Sequence, residues 1–204
     1  GGTTVVRTTV PDGATAAQFA DFITSATAAA PDVVFFGGEY AVGATLRAAA
    51  TKAGLAAPMM GGDGINDPAF IAGAGPGATG TYASGTGLPI EQLANGDEFL
   101  AAYAAGGFKS EPTNYGPYAY DATNAILNAL PSILAASSAK GTVKSATKLP
   151  SGIRRAVVDA VQSTDAAGLT GRVAFDQYGD TLDPQFTLYR VAGSPASWAA
   201  VAPL

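Results

Sequence analysis

A chain of 204 residues that is 48% hydrophobic and only 13% charged carries enough apolar surface to bury the core of one large or two small domains. Its net charge of -5 and pI near 4.5, with Lys and Arg scattered, argue against nucleic acid or an anionic membrane surface as partner and favour a small or neutral one. With no Cys and no His, the inventory excludes thiolate nucleophiles, imidazole acid-base catalysis and the commonest zinc sites.

The opening "GGTTVVRTTV" has no initiating Met and no signal-peptide pattern; it reads as an internal turn followed by a strand, as expected of a processed chain or a fragment. Residues 3–10 are β-branched and close on the turn "PDGAT". From Ala14 to Ala30, Phe19, Phe22, Ile23, Ala26 and Ala30 follow the spacing of an amphipathic helix. "PDVVFFGG" is a continuous apolar run closed by glycines, expected of a parallel strand buried on both faces. The pattern repeats with the Ala-rich helix 44–54 and the short strand "APMMGG".

Asp67-Pro68 opens another helix, with Asp67 as N-cap and Pro68 in the first helical position. Residues 80–87, "GTYASGTG", read as a strand, and 96–107 as a helix ending at Gly106. Residues 118–136 form a long helix that carries Pro131, and 137–152 form a polar surface loop. "IRRAVVDAVQST" is helical, and "TGRVAFDQYGD" and "PQFTLYRVAG" read as two strands around a turn. Alternating strands and helices predict an α/β fold with a doubly wound parallel sheet, and the late strands predict a chain that leaves a domain and re-enters it.

In such sheets ligands bind outside the carboxyl ends of the strands. Two loops qualify: "GGEY" after "VVFF", with Gly38, Glu39 and Tyr40, and "GGDG" after "PMM", with Gly62 and Asp63. Paired glycines let backbone approach a ligand closely. Asp63 has two readings, a turn residue of a common Asp-Gly pair or a ligand group; the helix cap is already supplied by Asp67, and a carboxylate at a strand mouth suits an ammonium. Tyr40 is either a ring closing the hydrophobic layer or a pocket wall, and Glu39 either a solvated charge or a ligand contact.

Other motifs fall short. "GAGPGATG" (73–80) lacks the Gly-Lys-Ser/Thr ending of a phosphate loop, "DGINDP" lacks the alternating ligands and distal Glu of a calcium loop, and Ser84 has no His for a triad. No catalytic residue, metal site or cofactor is indicated, which leaves an α/β enzyme as a minor alternative.

The order of these motifs resembles a known family. Residues 31–84, from "PDVVFFGGEY" to "GTYAS", resemble the second lobe of periplasmic solute-binding proteins that serve ABC importers of branched-chain amino acids, the leucine/isoleucine/valine-binding type. "YGPYAYDATNAIL" and "LTGRVAFDQYGDTLDPQFTLYRV" resemble its later part, including the signature Gly-x-x-x-Phe-Asp-x-x-Gly-Asp at 171–180. The resemblance implies a type I two-lobed fold, an extracytoplasmic location, an ABC permease as partner and a small amino-acid-like ligand. The alternative within the same fold is a ligand-sensing receptor domain.

It also implies site roles. Asp63 would pair with the ligand ammonium, Tyr40 or Glu39 would form the wall, and Tyr118 would border the cleft near a crossover. Members are nearly twice as long, and their N-terminal half supplies most of the first lobe and the groups that hold the ligand carboxylate. The expected division is therefore 1–117 with 183–204 as the C-terminal lobe, and 118–182 as a partial N-terminal lobe completed by the missing half.

Overall fold

The computed structural model describes residues 2–110, 112–139 and 151–203. The chain divides into two compact units, residues 1–86 with 186–204 and residues 87–185. Among the described residues, no helix is long and apolar enough to cross a membrane.

The first unit is built on a five-stranded sheet in the order β1-β2-β3-β6-β7. Strands β1 (Val34–Phe36), β2 (Met59–Gly61) and β3 (Tyr82–Thr86) are parallel, with Val34 opposite Met59 and Gly61 opposite Ala83. Strands β6 (Phe186–Ala192) and β7 (Ser197–Pro203) return antiparallel to β3 and to each other. Helices α1 (Ala20–Ala29), α2 (Tyr40–Lys52) and α3 (Pro68–Ala74) pack against the face that carries Val34, Phe36, Met59, Ala83 and Val191. Ile23, Leu46 and Phe70 on these helices, with Phe19 just before α1, complete one core. Fully burying a side chain of this size contributes about 1.5–3 kcal/mol.

Two sequence expectations change here. Residues 3–10 form no strand: they pair with no strand of the sheet, and most stay exposed, so their β-branched composition has no pleated surface to pack on. Strand β1 is not buried on both faces: Phe35 is 69% exposed, since α1 to α3 cover only the Val34/Phe36 side.

The helix expected at Asp67-Pro68 is present. The Ala69 N–H donates to the Asp67 carboxylate at 2.7 Å, and Pro68 opens α3 without a wasted donor. The single Trp fixes this end against the sheet: Trp198 stacks on Phe70 at 5.7 Å between ring centroids, and its Nε1–H donates to the Asp67 carbonyl at 3.0 Å. Arg47 on α2 donates to the Gly77 and Ala57 carbonyls, tying the helix to two loops, and its partial burial lowers its pKa.

The second unit contains α4 (Gly96–Ala105), α5 (Gly116–Ala139), α6 (Ser151–Gln162) and a hairpin of β4 (Asp165–Gly168) and β5 (Gly171–Ala174). The expected pairing of 170–180 with 184–193 therefore does not occur: β5 pairs with β4 inside this unit, while β6 pairs with β3 and β7 in the other. The expected loop at 137–152 is replaced by helix at 137–139 and 151–152, and its residues 140–150 lie outside the described residues.

The crossovers fall at 86/87 and 185/186. The sequence reading placed them near Pro117 and near 180–184, but Pro117 lies in the first turn of α5, where a missing N–H is tolerated, and marks a helix start.

Asp121 holds the second unit together. It is 6% exposed, and its carboxylate accepts the backbone N–H groups of Leu169 and Thr170, each at 2.8 Å, and the Thr170 hydroxyl at 2.6 Å. Asp121 thereby pins α5 to the β4–β5 turn. Asp121→Ala leaves these donors without an acceptor, and a loss of about 2–4 kcal/mol is expected in urea unfolding. A loss below about 0.5 kcal/mol would show that water replaces the carboxylate at this turn.

Candidate functional site

Because β1 and β2 are parallel, their carboxyl ends open on the same edge of the sheet. After Phe36 the chain passes through Gly37 and Gly38 to Glu39, the extended N-cap of α2, and Tyr40 is the first helical residue. After Gly61, the extended Gly62 leads into a short 3-10 turn, Asp63–Ile65. The apolar residues of β1 and β2 anchor these loops, and the glycines release the backbone from them.

The loops touch. A Cβ on Gly64 would lie 2.7 Å from the Gly38 carbonyl oxygen and 3.7 Å from Glu39 Oε1, so Gly64 is the point of close approach. Beneath it Ile65, with 0% exposure, fills the space left by other glycines. A Cβ on Gly61 would lie 2.6 Å from Ile65 Cδ1, and one on Gly43 3.0 Å from the Phe36 ring. Gly62 is different, with nothing within 4 Å of its missing Cβ.

The structure thus brings Gly38, Glu39, Tyr40, Gly62 and Asp63 onto two contacting loops of the first unit. Glu39 and Asp63 are exposed, and Tyr40 is 38% exposed. Neither loop contains Lys or Arg. Among the described residues the ion pairs Arg155–Asp159 and Arg172–Asp165 both lie in the second unit. The loops therefore present carboxylates, backbone and one aromatic ring, a donor set for a cationic or hydrogen-bond-donating group. Sequence reasoning missed Gly64 and Ile65; a lone aliphatic residue inside a polar glycine loop is the signal that marks them.

Tyr118 belongs to the second unit, in the first turn of α5, and is half-buried. Its hydroxyl lies against Gly87 and its phenol hydrogen-bonds the Leu88 backbone. Burial raises the phenol pKa, the Leu88 hydrogen bond opposes the rise, and the Asp121 and Asp183 carboxylates add to it.

This unit also contains a groove of about 620 Å³ lined in part by Asp121, Asn124, Asn128, Ser132 and Thr164, apart from any of the predicted site residues. Among the described residues, no group of three or more acidic side chains is placed to hold a metal ion.

Parallel strands with glycine loops at their carboxyl ends, in a chain that leaves the first unit after Thr86 and returns to it at Phe186, are features of a doubly wound α/β fold. The chain belongs to the periplasmic binding protein family, whose model matches residues 1–195. Membership implies an extracytoplasmic location.

Among solved structures, the leucine-binding protein LivK of Thermotoga maritima superposes with a TM-score of 0.71 at 19% identity, over 91% of this chain and 48% of that one. LivJ of Streptococcus pneumoniae, in complex with isoleucine, gives a TM-score of 0.64 at 22% identity, over 90% of this chain and 49% of that one. A solute-binding protein of Rhodopseudomonas palustris in complex with benzoate gives a TM-score of 0.64 at 18% identity, over 91% and 46%. At these identities the likeness establishes the fold, and the chain spans about half the length of the structures it matches. No curated protein matches it in sequence.

Two measurements probe this geometry. Gly64→Ala, whose methyl meets the Gly38 carbonyl, is expected to destabilise by about 1–3 kcal/mol, while Gly62→Ala stays within about 0.5 kcal/mol. Equal effects in thermal unfolding would mean that the loops do not touch at Gly64.

The second concerns pH. The Tyr118 phenol holds its proton more tightly in the folded chain than at its ordinary pKa of 10.0. Its contribution is complete below pH 10 and is lost as pH rises through the folded value. Tyr118→Phe is therefore expected to flatten the fall in stability above pH 10; an unchanged slope would assign that fall to other groups.

Proposed function

We propose that this protein captures a small amino-acid-like solute, with the branched-chain amino acids as the first candidates, and delivers it to an ABC importer. The observation that carries this reading is the pair of contacting strand-mouth loops, which offer Asp63 and Glu39 and no cationic side chain. In this reading Asp63 accepts the ligand ammonium, backbone at Gly38 and Gly62 approaches the ligand, and Tyr40 walls it with Glu39 beside it. Isoleucine and benzoate in two related structures support a ligand of this size.

A related structure described as an extracellular ligand-binding receptor supports a second reading, a sensory domain of the same fold. Permease and ATPase genes beside the reading frame favour transport; a receptor or kinase gene favours sensing.

The binding reading is tested with leucine, isoleucine, valine and benzoate on the intact protein. At a concentration of 100 times Kd, a bound amino acid adds about 2.7 kcal/mol, a rise of about 5–10 °C in Tm. Asp63→Asn is expected to weaken amino-acid binding by about 10- to 150-fold, the equivalent of one charge-assisted hydrogen bond. Stabilisation by benzoate alone, or amino-acid affinity that is indifferent to Asp63→Asn, would overturn the ammonium role.

A further inference from the structure

The groove of about 620 Å³ lies wholly within the second unit. One wall is α5, where Tyr120, Asn124, Asn128 and Ser132 recur at every fourth residue and all line the groove. At a rise of about 1.5 Å per residue these four span about 18 Å, longer than a single amino acid or a single sugar ring. The facing wall is made of small residues, Ala160 on α6 and Ala166, Ala167 and Gly168 on β4.

The chemistry of the groove is polar and uncharged. None of its lining residues is Lys or Arg, and its one carboxylate, Asp121, already accepts three hydrogen bonds from Leu169 and Thr170. What remains are carboxamides and hydroxyls, each able both to donate and to accept. Asn128 and Ser132 are exposed and Asn124 is half-buried. Asn95 stands at the N-cap of α4, yet its side chain makes no capping hydrogen bond, which leaves its carboxamide to the groove.

Tyr120 adds an aromatic face. Its side chain is 53% exposed, and Phe99 packs on it in a T-shaped pair at 6.1 Å between ring centroids, which fixes the ring at the groove's edge.

We propose that this groove binds a neutral, extended oligosaccharide, with one pyranose ring stacked on Tyr120 and sugar hydroxyls held by Asn95, Asn124 and Asn128. A pyranose carries C–H bonds on its faces, which suit the electron-rich face of an aromatic ring, and hydroxyls around its rim, which suit carboxamides. A phosphate or a carboxylate finds no cationic side chain here, and an ammonium finds only a carboxylate that is already occupied. A peptide strand fits less well, because the Ala and Gly wall offers no separate pockets for alternating side chains. The site uses none of the residues of the strand-mouth loops and does not rest on their reading.

The test is calorimetric titration of the intact protein with cellotriose, with glucose as the short counterpart and blocked trialanine as the peptide control. Cellotriose is expected to bind with a Kd of the order of 1 mM, and glucose about 10-fold more weakly. Asn128→Ala is expected to weaken cellotriose by about 2- to 10-fold, the equivalent of one hydrogen bond. Tyr120→Ala is expected to weaken it by about 10-fold, whereas Tyr120→Phe, which keeps the ring, stays within about 2-fold. The thermal unfolding of each free variant separates loss of binding from loss of fold.

No heat of binding at about 10 mM cellotriose, an affinity indifferent to both Asn128→Ala and Tyr120→Phe or Tyr120→Ala, or equal binding of trialanine each overturns the proposal. Because no amino acid enters this titration, its failure is distinct from a failure of leucine to stabilise the protein, which bears on the strand-mouth loops alone.

Discussion

The loops of the first unit depend on one constraint, the close approach of Ile65 and Phe36 to positions where only glycine leaves room. Gly43 on α2 and Gly61 at the end of β2 bring helix and strand onto these two side chains. A methyl at either position meets a carbon at 3.1 Å or less, closer than nearly all real contacts. The exposed loops are therefore held from below by a dry, close-packed layer. The backbone that carries the exposed Glu39 and Asp63 above such a layer is already fixed. The ordering of these loops is a consequence of folding.

This explains why the positions of these two loops were more legible in the sequence than the rest of the chain. Paired glycines after apolar triplets mark strand ends, and Asp67-Pro68 marks a helix start, because each feature acts through its own backbone and needs no distant partner. Residues 3–10 failed for the opposite reason. Their β-branched composition says that they suit a pleated surface, and only a neighbouring strand can make that preference real. The β4–β5 hairpin escaped notice because it is held by cross-strand Asp165–Arg172 pairing and by Asp121, 48 residues away from Leu169 in sequence. Asp121 still left a trace: it shares a helical face with Tyr118 and Ala125, and a lone carboxylate on an apolar stripe has to find donors when it is buried.

The misplaced crossover teaches the same lesson. Pro117 looks like punctuation, and it is, but of a helix. The actual exit at Gly87 is written as "SGTG", two small residues and two glycines whose meaning depends on what lies above them. Gly85 approaches Tyr189 within the sheet, with 2.7 Å between its missing Cβ and the ring, whereas Gly87 adopts φ +73 under Tyr118. Identical residues two positions apart answer to different forces, close packing in one case and backbone curvature in the other.

These features separate two ways of fixing backbone in one chain. The strand-mouth loops gain their rigidity from buried carbon against carbon, which salt and pH barely affect. The second unit instead draws two backbone N–H groups and one hydroxyl onto the single buried carboxylate of Asp121. Losing that one side chain leaves three donors without their acceptor, whereas close packing is shared among many atoms and no single contact carries it.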